Sequence, residues 1–150
     1  VKSVDLSTRL KELHGALLDI NGVMNRPQRD QAIIDEAGIA LDRVLFPLLV
    51  IVDRRGPIGV VELADRVGRD YTTLSRQLDK LERLGLIERR AGANDRRVRE
   101  AVVTPMGKAM NDAIDAARER LMIAAFASWG REDIDELTRL MRRFADALTG

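Results

Sequence analysis

The sequence predicts a mainly α-helical fold carrying one small β-hairpin, and three observations predict it. Apolar residues recur at steps of three and four through most of the 150 residues, the pattern of amphipathic helices. The chain is 45% hydrophobic but only 3% aromatic, so its core must be built from Leu, Val, Ile, Ala and Met, a mixture typical of packed helices. Only near residues 86–104 does the pattern turn strand-like, and there an arginine-rich tip interrupts it.

Length and composition bound what this fold can do. A chain of 150 residues is read as a single domain, 1–150, long enough to bury a real core. The absence of cysteine excludes disulfides, thiolate catalysis, thiol-based redox sensing and thiolate metal sites. His14 is the only histidine, so a histidine-rich metal site is excluded too, and no cofactor is expected. No secretory pattern opens the sequence, and no apolar run reaches the roughly 18–20 residues of a membrane span. The expectation is a soluble cytoplasmic protein with no membrane partner.

Net charge is only +1, but its distribution is uneven. Residues 69–99 carry nine Lys and Arg against five Asp and Glu, a local excess of +4, while 1–68 sum to −1 and 100–150 to −2. A basic patch on an otherwise slightly acidic chain is the electrostatic footprint of a phosphate-binding face.

The elements follow in order. Leu6, Leu10, Leu13, Leu17, Ile20 and Met24 form one apolar stripe, predicting a long amphipathic helix that ends near Asn25-Arg26-Pro27. Residues 28–36 suit a short helix. The apolar stretch 41–52 predicts a central core helix stopped by Gly56-Pro57, with Pro47 either kinking it or marking its first turn. Leu63, Ala64 and Val67 then give the buried face of a short helix, Gly68 a tight turn that calls for positive φ, and Asp70 the cap of a second helix running to about Leu84. Two short helices around a glycine turn read as a helix-turn-helix. Leu74, Leu78 and Leu81 share the inner face of the second helix, leaving Thr72, Arg76, Asp79 and Arg83 opposite, with Arg69, Thr73 and Lys80 beside them.

After Gly85, the segment Leu-Ile-Glu-Arg-Arg and the alternating Val-Arg-Glu-Ala-Val-Val-Thr predict two antiparallel strands, with the arginine-rich segment between them as the hairpin tip. Thr104 and Pro105 read as N-cap and first residue of a long helix, with Met106, Met110, Ala113, Ala117 and Leu121 on one side. Gly130 and Asp133 open a last helix with the stripe Leu137, Leu140, Met141, Phe144 and Leu148. No internal repeat or low-complexity linker interrupts this order.

A helix-turn-helix followed by a basic hairpin is a winged-helix arrangement, in which the second helix enters the major groove of DNA and the wing an adjacent minor groove. Arginine suits the wing tip because the narrow minor groove concentrates negative potential and a guanidinium is weakly hydrated. Asp95 is then read as an organiser that orients Arg97 toward the groove, with Arg96 and Arg99 as phosphate contacts or solvated charges. On the recognition helix Arg76 and Thr72 are the candidates for base edges, and Thr73, Ser75 and Lys80 for phosphates; Arg69 completes the basic face. Tyr71 is either a ring packed toward the core or a DNA contact. Arg54 and Arg55 either complement a helix C-terminus or touch the DNA backbone. His14 is either a partly buried histidine near a dimer boundary or an effector-binding, pH-sensing group. Trp129 packs at the turn before the last helix, and the methionines at 106, 110, 122 and 141 are core filler.

These residues resemble the MarR family of bacterial transcriptional regulators. The resemblance rests on Leu81-Glu82-Arg83-Leu84-Gly85-Leu86-Ile87-Glu88-Arg89, on Asp95-Arg96-Arg97 and on Val103-Thr104-Pro105-Met106-Gly107, which stand together in the family's order. It covers about residues 41–110 by motif. Two positions depart from the pattern: Gly59 and Val60 stand where a Ser or Thr cap commonly begins the first helix, and Asp70 replaces a small hydroxyl residue. The resemblance implies a homodimer held by helices at 1–40 and 105–150, with a DNA-binding lobe at 41–104 and recognition helices about 34–36 Å apart on a pseudo-palindromic duplex. It further implies a repressor released by a small organic effector, aromatic or phenolic. No enzyme activity is expected, because the sequence shows no Gly-rich phosphate loop, no Cys/His pairing and no metal cluster. The competing function is a winged-helix protein-interaction module without a specific DNA site; the hydroxyl-rich, cationic face lacks the apolar anchors such a surface would use.

Overall fold

A computed structural model describes residues 2–150. The chain runs through α1 (Lys2–Met24), α2 (Pro27–Ala37), α3 (Phe46–Arg55), β1 (Ile58–Gly59), α4 (Val60–Val67), α5 (Tyr71–Arg83), β2 (Ile87–Ala91), β3 (Arg99–Val103), α6 (Pro105–Ala125) and α7 (Arg131–Thr149). The core gathers Leu48, Leu49 and Val52 of α3, Leu63 of α4, Leu74, Leu78 and Leu81 of α5, and Ile114 and Ala117 of α6, all essentially inaccessible to solvent. Ile33 and Ile34 of α2 close it from one side. The mainly helical fold with a small antiparallel sheet is the one the sequence predicts.

The apolar stretch 41–52 is not one continuous helix. Asp42 divides it: its carboxylate accepts the Val44 N–H at 2.8 Å and its carbonyl accepts the N–H groups of Leu45 and Phe46, so a side chain competes locally with the helix ladder. α3 therefore begins at Phe46, with Pro47 in its first turn, where a missing N–H costs nothing. Gly59 is the N-cap of α4 without any side-chain cap, and Gly68 ends that helix at φ 68°, the left-handed conformation the turn was expected to need.

The hairpin pairs β2 with β3 from Ile87↔Val103 to Ala91↔Arg99. A third strand, β1, lies on the other side of β3 with Ile58 opposite Ala101, so the order is β1-β3-β2. Two residues are too few for alternation to announce a strand, and the sequence reading does not contain it. Ile58, Ile87 and Ala101 turn inward and seat the sheet on the core.

The helix after the wing buries a different face from the one its methionines suggest. Gly107, Asn111, Ile114 and Ala117 face inward, Met110 packs partly against the core, and Met106 is 60% exposed. The cause is Gly107: a Cβ there would run into the Leu86 carbonyl, so α6 crosses the start of the wing backbone to backbone and rotates Met106 outward. Thr104 caps α6 through its Oγ1, which accepts the Gly107 N–H at 3.1 Å. Of the methionines read as filler, only Met110 packs against the core; Met122 and Met141 are also exposed.

The terminal helices stand apart from this core. Among the described residues neither α1 nor α7 has a buried side chain, although their leucine stripes are present as expected. His14 is exposed on α1 of the lone chain. Phe126 and Trp129 meet edge to face, 4.9 Å apart, at the turn joining α6 to α7.

Candidate nucleic-acid interface

The basic face is built on α5. Asp70 holds its N-terminus, accepting the Thr73 N–H at 2.9 Å and the Thr73 hydroxyl at 2.7 Å. Those bonds, the backbone one first, hold the Asp70 carboxyl below its ordinary range. With Leu74, Leu78 and Leu81 docked on the core, Thr72, Arg76 and Lys80 stand in solvent and Ser75 is half-exposed at the edge. Among the described residues Arg76, Lys80 and Arg83 make no side-chain hydrogen bond or ion pair, so these cations are free to meet an outside anion.

Two of the expected contacts are already engaged within the protein. The proton of the Thr73 hydroxyl goes to Asp70, so it cannot be donated to a phosphate while that cap is in place. Arg69 is half-buried before the helix, and its Nη1 donates to the Val44 carbonyl at 3.0 Å and to Gln77 Oε1 at 2.7 Å. These bonds tie the turn to α5. Tyr71 does not pack inward; as the first residue of α5 it lies past the edge of the core and is 57% exposed.

The wing tip has the arrangement proposed for it from sequence. Asp95 Oδ1 accepts the Arg97 backbone N–H at 3.0 Å and its Nε at 3.3 Å, while the Arg97 side chain remains 92% exposed. The Gly92 N–H donates to the Val98 carbonyl at 2.7 Å and closes the loop, and a Cβ on Gly92 would crowd the Asp95 carbonyl. Arg96 is exposed without a side-chain partner among the described residues, and Arg99 begins β3, its Nη2 3.4 Å from the Arg89 carbonyl. Arg54 and Arg55 fill the last turn of α3 and, with Ile51 and Arg66, line a recess on the surface.

Sequence reasoning placed Arg89 in the family motif but gave it no role. This arginine of β2 reaches back to α5, where Nη2 pairs with Asp79 and Nε lies 3.4 Å from Glu82. Burial works against its charge, but the two carboxylates outweigh that and raise its pKa above the ordinary arginine value. The signal available beforehand was the spacing of Asp79 and Glu82, which puts both carboxylates on one side of α5. Among the described residues no group of three or more His, Cys, Asp or Glu is arranged to hold a metal ion, and no helix is long and apolar enough to cross a membrane.

A helix pair that turns on a left-handed glycine, followed at once by a basic hairpin folded back on the second helix, belongs to the winged helix-turn-helix class. The chain matches the MarR family over residues 41–98. It is 32% identical over 107 residues, 71% of this chain and 75% of the relative, to the HTH-type transcriptional regulator YxaD of Bacillus subtilis (strain 168). Its fold resembles that of a MarR family protein from Bacillus stearothermophilus, with a TM-score of 0.76 at 22% identity, covering 96% of this chain and 98% of that one. RV1404 from Mycobacterium tuberculosis is similar at a TM-score of 0.68 and 22% identity, covering 92% of each chain. The chain belongs to the MarR family of transcriptional regulators, proteins that act on transcription through DNA.

Proposed function

We propose that this regulator is a cytoplasmic homodimeric repressor that binds a pseudo-palindromic double-stranded DNA operator and leaves it when a small organic effector binds. The observation that carries the reading is the pairing of two cationic features on one lobe. Arg76 and Lys80 stand unpaired on the outer face of α5, and Arg97 is held outward by Asp95 at the wing tip. In this arrangement Arg76 and Thr72 read base edges in the major groove, Ser75 and Lys80 hold phosphates, Arg97 enters the minor groove, and Arg96 and Arg99 contact its walls. Tyr71, exposed at the start of α5, joins the major-groove set. The exposed leucine stripes of α1 and α7 support the dimer, since a lone chain would leave them in water. The effector is an aromatic or phenolic molecule bound between those helices and the lobe, at the level of His14; it must bind one lobe spacing better than the other to act.

The test is fluorescence anisotropy against the duplex upstream of its own gene, near physiological salt, with random duplex as competitor. The repressor reading expects a preference on the order of a thousandfold. Equal and weak binding to both duplexes would instead favour a winged-helix module that docks on protein.

A further inference from the structure

The recognition helix carries two carboxylates, Asp79 and Glu82, that a DNA-facing helix would be better without on charge alone. Both are about half exposed, at 51% and 43%, and both lie on the side of α5 that faces the wing. Arg89 answers them. Its side chain is only 16% exposed, and its planar guanidinium spans one helical turn, Nη2 on Asp79 and Nε on Glu82.

The position of Arg89 in the hairpin gives that pairing a mechanical meaning. The hairpin leaves α5 through a short link that includes Gly85 at φ 78°, and its base is anchored by the buried Leu86 and Ile87. Beyond Ile87 the strand is exposed at Glu88, Arg90 and Ala91, with Arg89 alone half-covered. Among the described residues, Arg89 makes the only side-chain hydrogen bonds or ion pairs between β2 and α5. The β1–β3 ladder steadies the hairpin from its other edge as far as Glu100, but Arg89 is what ties β2 by side-chain charge to the recognition helix itself.

We propose that Arg89 is a positioning residue: by pairing with Asp79 and Glu82 it holds the wing at a fixed angle to α5, so that both meet the duplex as one rigid unit. This rests on the DNA-binding reading above. Asp79→Asn/Glu82→Gln separates the idea from plain electrostatics, because the two predict opposite signs. The double variant is more cationic by two charges and should bind any duplex more tightly if charge alone governs. If Arg89 positions the wing, affinity for the upstream duplex falls by about tenfold, the size of coupling typical between contacting groups, while affinity for random duplex holds or rises. Arg89→Gln should show the same loss of preference, and Arg89→Lys, which keeps the charge without the fork, should recover part of it.

Amide hydrogen exchange of residues 87–103 in the free protein is read alongside, with the urea midpoint as a check that each variant is folded. Exchange in the wing should quicken in Asp79→Asn/Glu82→Gln and Arg89→Gln. Wild-type exchange rates in those variants, or an upstream-duplex affinity that is unchanged or higher, overturn the proposal. A wild-type protein with no preference between duplexes sinks the repressor reading instead, and the exchange rates then decide by themselves whether Arg89 holds the wing.

Discussion

Asp70 is a carboxylate at the N-terminus of α5, the helix proposed to enter the DNA groove, and two demands on it oppose each other. The helix dipole and the two bonds from Thr73 favour its charge, whereas nearby phosphates would repel it. Asp70→Ser keeps an acceptor for the Thr73 N–H and removes the charge. Affinity for any duplex should therefore rise a few-fold at low salt, and the gain should fade as salt screens it; anisotropy titrations at two salt concentrations would show this. The sign with pH follows from the lowered pKa. A depressed folded-state pKa gives stability that is present above the unfolded value, about 3.9, and is lost as pH falls through the folded one. The melting temperature of the wild type should thus drop relative to Asp70→Ser below about pH 4; parallel curves down to pH 2.5 would sink that account. Arg97 poses a simpler question, because it is almost wholly exposed and holds up no packing. Arg97→Ala should leave the circular dichroism and urea midpoint unchanged yet weaken operator binding by about tenfold or more.

At the scale of elements, what was legible in the sequence is what local chemistry decides. Gly68 must be left-handed, Thr104 and Pro105 must start a helix, and Leu74, Leu78 and Leu81 must dock α5, and each does so. The Asp95–Arg97 brace is legible for the same reason, since its partners lie two residues apart. What was hidden depends on partners distant in the chain. β1 exists only because β3 offers it a ladder, Arg89 acquires its role only when β2 folds onto α5, and the inward face of α6 is set by the Leu86 backbone. Gly107→Ala tests that last contact. Alanine favours a helix over glycine by about 1 kcal/mol, but the new methyl meets backbone that cannot swing aside, and overpacking costs about 1–3 kcal/mol. A net loss of stability in urea is expected; a gain would mean that α6 does not need the close approach. Leu78→Ala removes a fully buried side chain from the seam of α5 and should cost about 2–5 kcal/mol.

Two sets of apolar residues are placed differently in the molecule. One set fills the lobe around α3 and α5; another lies along α1 and α7, with Leu6, Leu10, Leu140 and Leu148 each 44% or more exposed. An exposed apolar surface of this kind marks an interaction site. The stripes also sit at the two ends of the chain, away from the proposed DNA-binding face in the chain order, which suits helices that join two lobes rather than helices that read a duplex. Leu10→Glu/Leu140→Glu places charge in both stripes without touching the core set. The expected result is a chain that sediments as a monomer while its lobe retains its helical circular dichroism. Operator affinity should fall far more than affinity for random duplex, because only a dimer can engage two half-sites at once. The salt slope should shrink with it, since each phosphate contact contributes about 0.9 to the slope and a monomer makes half of them. A wild-type chain that is already monomeric at micromolar concentration, or a double variant that remains dimeric, would remove these helices as the means by which the two lobes are joined.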